Sequence, residues 1–426
     1  MDSQLLDSAN GAYDFERAAG RPEASREAAF PREMIGHPMP PANVIIFTHP
    51  VDVHASSVDY VLRRTGHRPV LFDTSTVLQR DYMSVEYLDD PVVTIGSFTG
   101  KIADISASWN RRITGEKRLP SFSHPADAAL IRESTNAVLA GIHALLEQGF
   151  PVNPISSARI SSNKLTQLQA AKKAGFRIPQ TLISNKFEDV RDFAERVGDV
   201  CMKGYYPKGW LTDEGIRHAL NTKISLSDLS EPASCEIMPH IYQEYITKKA
   251  EYRVTLFAGH VGAVAIDSTK LNGPAESDWR ADMAYLENLR LASLPDDVIS
   301  AARRMMAHLG LRFGSLDIAE TPSGEFVFFE INEQGQWLWT EEHCPDCVLL
   351  QPFCEYLASG DDRYVWNPQR RSLDLSAHVV LNEVLDNARY ERLHNGDLAP
   401  TPRGGKFYDE RTMSAPVSEA AQIEVA

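Results

Sequence analysis

The chain has 426 residues, 43% of them apolar and 24% charged, with a formal net charge of −15. This length holds two or three lobes with sizeable cores, and the ordinary apolar and charged fractions exclude wholesale disorder. The negative charge repels phosphate backbones, so no nucleic acid partner is expected. No apolar run approaches the roughly 20 residues that span a bilayer, and residues 1–43 lack a basic start followed by an apolar run. A soluble cytoplasmic protein with no membrane partner is therefore expected.

Residues 1–40, rich in Ala, Glu, Arg and Pro, show no periodicity and read as a flexible extension. A short apolar strand at Val44–Phe47, a helix over about Val53–Arg64 and a strand at Pro69–Phe72 then make a β-α-β unit. Ile102–Ile105 reads as a further strand. After it, Ser108-Trp109-Asn110-Arg111-Arg112 sets two cations beside an indole, an arrangement that also suits a solvated loop. Residues 126–148 read as a helix with Leu130, Ala137, Val138, Ile142 and Leu145 at core spacing.

From Pro154 the pattern changes. Asn163 or Ser162 can cap a helix that starts at Lys164, runs to Ala174 and stops at Gly175. Ile178–Ile183 reads as a strand and Phe187–Val197 as a helix. Val200–Lys203 is a short strand ending in a lysine, followed by the glycine-flanked loop Gly204–Gly209. A lysine so placed can set its ammonium against phosphate oxygens while loop amides cover them. A surface hairpin lysine would look the same, and neither a Walker A nor a dinucleotide fingerprint is present.

The run IYQEYI at Ile241–Ile246 precedes Lys248-Lys249, and Glu251-Tyr252-Arg253 opens a strand at Val254–Phe257. Ala258-Gly259-His260 turns it into a second strand, Val261–Ile266. Arg253 at the strand start has a planar fork suited to a phosphoryl oxygen. A polar loop at Ser268–Ser277 leads to Asp278-Trp279-Arg280, then to helical stretches around 281–291 and 295–309.

The next segment, Phe313–Trp339, reads as a hairpin about Thr321-Pro322-Ser323-Gly324, with Leu316, Ile318, Phe326, Phe328 and Phe329 as its apolar residues. Asp317, Glu330 and Asn332 are its polar exceptions. Residues 330 and 332 share one strand face, and with Asp317 opposite they make a set of hard oxygen ligands suited to Mg²⁺. Acids facing water at a strand edge fit these residues equally well.

Five cysteines, Cys201, Cys235, Cys344, Cys347 and Cys354, do not suit a disulfide framework. His343-Cys344-Pro345-Asp346-Cys347 lacks the second pair that a zinc site needs, so reduced, partly buried thiols are expected. Cys347–Ser359 and residues 374–396 read as helices, and the tail beyond Thr412 as flexible.

The order Lys164, Lys203 with its loop, QEYI, Glu-x-Arg, Asp, Glu-x-Asn resembles that of the ATP-grasp ligases over about residues 154–340. The resemblance implies a mixed α/β and α+β chain. In it an N-terminal β-α-β domain (41–153) precedes a central lobe (154–240), a C-terminal lobe with the metal site (241–360) and a partly helical extension (361–426). It also implies ATP and Mg²⁺ as cofactors. Lys164 and Lys203 would then lie on phosphates, Gln243, Glu244, Tyr245 and Ile246 around adenine, and Asp317, Glu330 and Asn332 on the metal. Arg253 would act on the γ-phosphoryl and Arg280 on the substrate carboxylate. Lys248-Lys249 stands where many such ligases carry a ribose-binding acid.

Ser106–Arg112, Asp278-Trp279-Arg280 and above all Phe329–Trp339 (FEINEQGQWLW) are similar to the microviridin-type, or graspetide, peptide-modifying branch. That likeness implies macrocyclisation of a precursor peptide through an acyl phosphate, by a possible homodimer. An amino-acid or peptide ligase joining a free amino acid to a carboxylate, and a non-catalytic nucleotide-binding protein that recognises a peptide, are the other readings.

Overall fold

A computed structural model of the chain describes residues 40–394, apart from 49–51, 76, 79–81, 88, 114–118, 120–122, 206–208, 213–214, 219, 231 and 282. The two expected flexible ends and the middle of the loop after Lys203 lie outside the described residues.

The first strand, β1 (Asn43–Thr48), is apolar and covered on both faces, as a central parallel strand must be. Asp52 caps α1 (Val53–Arg64) by accepting from Ala55 N at 3.0 Å, and β2 (Arg68–Asp73) returns parallel to β1. An antiparallel meander of β3 (Met83–Tyr87), β4 (Pro91–Ile95) and β5 (Phe98–Lys101) follows. It has no counterpart among the expected elements, although Met83, Val85 and Tyr87 alternate with Ser84 and Glu86, and β3 is exposed along nearly its whole length. The strand expected at Ile102–Ile105 is displaced: residues 102–104 form a 3-10 turn, and β6 runs over Ile105–Asn110. With α2 (Ala128–Leu146) and β7 (Pro151–Val152) this completes a parallel sheet in the order β2-β1-β6-β7.

Helix α2 turns Leu139, Ile142 and Leu146 inward, whereas Leu130, Ala137 and Val138, expected in the core, face solvent. From Ser134 to Leu146 it carries no Asp, Glu, Lys or Arg, so periodicity has no polar face to read.

The central part runs through α3 (Ile155–Ser161), α4 (Lys164–Ala174), β8 (Thr181–Ser184), α5 (Phe187–Val197) and β9 (Val200–Lys203). A hairpin of β10 (Gly209–Thr212) and β11 (Gly215–His218), then β12 (Thr222–Ile224), α6 (Ala233–Glu236) and β13 (His240–Glu244) complete it. Strands β12-β9-β13-β8 form an antiparallel sheet, and Phe187, Val190 and Phe193 of α5 pack with Val200 and Tyr242 of its strands.

The last sheet orders β16-β15-β14-β17-β18. Its elements are β14 (Ala250–Phe257), β15 (His260–Ile266), α7 (Pro274–Ser277), β16 (Arg290–Leu291), α8 (Asp296–Leu309), β17 (Phe313–Glu320) and β18 (Phe326–Asn332). Val254, Leu256, Leu316, Ile318, Phe328 and Ile331 make one face apolar and pack it on α4 and α8. The helix expected around 281–291 is a pair of 3-10 turns, Trp279–Ala281 and Met283–Asn288, with β16 after them.

Three helices close the described chain: α9 (Leu338–His343), α10 (Leu350–Ser359) and α11 (Ala377–His394). Buried Glu341 accepts from Leu349 N (2.8 Å) and Leu350 N (2.7 Å) with one oxygen and from Ala377 N (3.0 Å) with the other, so one carboxylate caps two helices. Helix α10 is apolar on nearly all sides and buried over Leu350–Ala358, against α1 and β6. All five cysteines are free and buried. Among the described residues no helix is long and apolar enough to cross a membrane.

Candidate active site

The second face of the β14–β18 sheet is polar by alternation. Register sets Arg253 of β14 opposite Asp317 of β17, and Asp317 opposite Glu330 of β18, so the three side chains form one row across three strands. Arg253 Nη1 donates to both Asp317 oxygens, at 2.8 and 2.9 Å. A register shift after Asp317 leaves Phe329 without a partner in the ladder. Phe328 accordingly enters the core, while Phe329, expected to be apolar filling, faces the cleft under the ammonium of Lys203, 4.8 Å from its ring centroid.

Lys164 arrives from α4. Asn163 caps that helix by accepting from Leu165 N and Thr166 N, and Gly175 ends it at φ +98°, so both expected termini are in place. Gln167 then fixes the helix to β18, donating from Nε2 to Ile331 O (2.9 Å) and accepting at Oε1 from Ile331 N (3.2 Å). Lys164 Nζ thereby lies 2.7 Å from Glu330 Oε2. Gln167 carried no signal in the sequence, because its partner is a backbone 164 residues away.

The cleft beside this row is lined by Lys203, Asn221, Gln243, Glu244, Tyr245 and Ile246, with Lys248 and Glu251 at its far side. Glu244 turns its carboxylate to Arg177 (2.7 Å) and Gln180 N (3.2 Å), tying the end of β13 in place. Lys248 pairs with Glu251 at 2.6 Å with both side chains largely buried.

Arg280 is held flat by Asp278, through Nε to Oδ1 (2.8 Å) and Nη2 to Oδ2 (2.6 Å). Burial alone would raise Asp278, but Arg280 and the amides of Asn221 and Arg280 outweigh it and keep the carboxyl below its ordinary value. Arg280 stays 39% exposed, and its charge acts on Glu330 and Asp317. Asp278 is an orienting residue that the sequence reading left without a role.

Two carboxylates side by side set the electrostatics. Lys164, offset in part by burial, holds Glu330 far below the usual carboxylate range with help from Arg280 and Lys203. Burial lifts Asp317 above that range, and Glu330 beside it adds to the rise against the pull of Arg253. Asn332 follows on the face of Glu330, its Oδ1 accepting from Gln334 N at 3.1 Å. Among the described residues no group of three His, Cys, Asp or Glu side chains is placed to hold a metal ion. A donor set of two carboxylates and one amide oxygen fits Mg²⁺, which keeps water and phosphate in its other positions, and a cation would relieve the crowded charge on Asp317. Trp337 and Trp339, which follow Gly335 and Gln336, are core residues with 0% and 3% exposure.

No family model matches the chain, and no curated protein does. Among solved structures it is similar to the RiPP-associated ATP-grasp ligase of Chryseobacterium gregarium in complex with ADP and a leader and core peptide. The identity is 21% over 74% of this chain and 95% of that one, with a TM-score of 0.66. It is also similar to the macrocyclase MdnC from Microcystis aeruginosa MRC bound with precursor peptide MdnA, at 24% identity over 74% and 99% of the two chains and a TM-score of 0.62. The ATP-grasp ligase PsnB, complexed with a phosphomimetic variant of its minimal precursor, Mg and ADP, matches at 21% identity over 75% and 98%, with a TM-score of 0.58. The parallel sheet at the start and the two antiparallel sheets after it are the fold of these ATP-grasp ligases.

Proposed function

We propose that the chain is an ATP-dependent carboxylate ligase that closes ester or amide bonds within a precursor peptide. One observation carries the reading: Lys164, Lys203, Arg253 and Arg280 converge on Asp317 and Glu330 beside the Gln243–Ile246 cleft. Arg253 Nε adds support, as a buried donor with no hydrogen-bond partner among the described residues and thus suited to an anion. The peptide as substrate rests on the neighbours in the fold, solved with leader, core or precursor peptides.

In this reading Gln243–Ile246 line the adenine through backbone and apolar groups, and Lys164 and Lys203 neutralise phosphate oxygens. Asp317, Glu330 and Asn332 would hold Mg²⁺, which would supply neutralisation of phosphate charge. Arg280, kept planar by Asp278, presents its fork to the substrate carboxylate, and Arg253 stabilises the γ-phosphoryl as it moves. A carboxylate oxygen bonds to the γ-phosphorus, the bond to the bridging oxygen breaks and ADP departs. A hydroxyl or amine of the same peptide then bonds to the acyl carbon, its proton is lost and inorganic phosphate leaves. No protein nucleophile is required, so the residues act by positioning and charge. The five free cysteines fit a reducing cytoplasm, where ATP is supplied.

The test is incubation with ATP, Mg²⁺ and an acidic precursor peptide encoded beside this gene, followed by mass spectrometry and ADP assay. Loss of one water per ADP formed is expected. A gain of one amino-acid residue would shift the reading to a free amino-acid ligase, and absence of ADP with every peptide and carboxylate tried would end it.

A further inference from the structure

The turn that leaves β18 is held by the N-terminal part of the chain. Arg111 Nη1 donates to Gln334 O at 3.1 Å and to Gly335 O at 3.0 Å. His54 Nε2 accepts from Trp337 N at 3.2 Å and from Leu338 N at 3.3 Å, which puts the neutral ring's proton on Nδ1. Between these anchors, Gln336 O accepts from Arg253 Nη2 at 3.1 Å and from Trp339 Nε1 at 2.8 Å. Three consecutive carbonyls are thus gripped by two arginines, one from β6's end and one from the polar row.

Arg111 is itself fixed. Its Nε lies 3.2 Å from Asp52 Oδ1, and both side chains are 1% exposed. Asp52 also sits 2.8 Å from Arg112 Nε and caps α1, so its position is set by an entire helix. Two buried charges carry a desolvation cost. Asp52 and two backbone carbonyls offset that cost for Arg111, an arrangement a lysine cannot reproduce.

We propose that Arg111 is a positioning residue for Arg253. Arg111 sets the carbonyls of 334 and 335, the next carbonyl in the same turn is that of Gln336, and this carbonyl holds Nη2 of Arg253 while Asp317 holds Nη1. A site built on β14, β17 and β18 therefore takes the aim of its arginine from an α/β unit that contributes no ligand of its own. The inference rests on the reading of Arg253 as the γ-phosphoryl contact, but its structural half does not.

Arg111→Lys, Arg253→Lys and the double variant test it. With Arg111→Lys, kcat for ADP formation should fall on the order of 10- to 100-fold, while KM for ATP changes by less than about threefold. The double variant should be no slower than Arg253→Lys alone, because a residue acting through Arg253 has nothing left to position. Multiplying losses, or an unchanged kcat in Arg111→Lys, would overturn the proposal. Amide hydrogen exchange supplies a readout independent of turnover. Trp337 and Leu338 should exchange faster in Arg111→Lys while amides of β14 and β17 keep their rates, and unchanged exchange at both positions would refute the positioning even if the chain made no ADP. An inactive wild type with faster exchange at the turn would instead remove the ligase reading and leave the coupling standing.

Discussion

Lys164 Nζ and Glu330 Oε2 lie 2.7 Å apart, joining the first residue of α4 to the last strand of the polar row. Each partner has a second claimant in the proposed reaction, phosphate for the lysine and a divalent cation for the carboxylate. Glu330→Gln should therefore lower kcat/KM for ATP on the order of 10²- to 10³-fold. Its unfolding midpoint should move little, since Lys164 reaches water. Steady-state ADP release reads this, and a rate equal to wild type would strip Glu330 of its metal role.

Arg280 and Asp278 make a bidentate pair with the first side chain 39% exposed and the second buried. Arg280→Lys should raise KM for the peptide about tenfold or more and leave KM for ATP nearly unchanged, because in the proposed reaction the lost bond is charge-assisted and made to the carboxylate substrate. Asp278→Asn should act in the same direction and less strongly. Initial-rate kinetics with each substrate varied in turn separates the two; a rise in KM for ATP instead would move Arg280 to the nucleotide.

His54 supplies a pH dependence. Burial, joined by the charge of Arg111, lowers its pKa well below 6.5, so it stays neutral in the folded chain. The unfolded chain takes up a proton there near 6.5, hence binds more protons, and stability falls as pH drops below that value. The slope is at most about 1.4 kcal/mol per pH unit, and the effect vanishes above it. His54→Gln keeps an acceptor without the titration. Urea midpoints at about pH 7 and about pH 5 should show the wild type losing more than the variant, and parallel losses would mean that His54 is not the group responsible.

Gly335 sits at φ +58°, and a Cβ added there would run into the Phe313 ring and approach Trp337. Gly335→Ala should cost roughly 2–4 kcal/mol, through strain at a left-handed residue and overpacking of a buried ring. Denaturant unfolding measures it, and a loss below about 0.5 kcal/mol would show that the turn adapts freely.

Local chemistry was readable from the residues and distant chemistry was not. The caps of α4 at Asn163 and Gly175 act within a few residues of themselves, and the hairpin holding Asp317 and Glu330 has its turn and its apolar alternation in one short segment. The ladder shift that turns Phe329 to the cleft changes no residue type and leaves no trace in composition. Arg111 looked like half of a solvated cation pair because its carbonyl partners come 223 and 224 residues later. The outward face of α2 was misassigned for the opposite reason, since a helix with apolar residues all round offers no contrast to interpret.

One core joins the two ends of the described chain: Val58, Val61 and Leu62 of α1 share a cluster with Phe353 and Leu357 of α10 and with Val380 and Leu381 of α11. During synthesis the last residue of α1, Arg64, is made 286 residues before α10 begins at Leu350. At about 5–20 residues per second its apolar side waits roughly 15 to 60 s for its cover. A stop codon placed just before Leu350 would leave that side of α1 without α10 and α11 and should yield an aggregating fragment rather than a smaller enzyme.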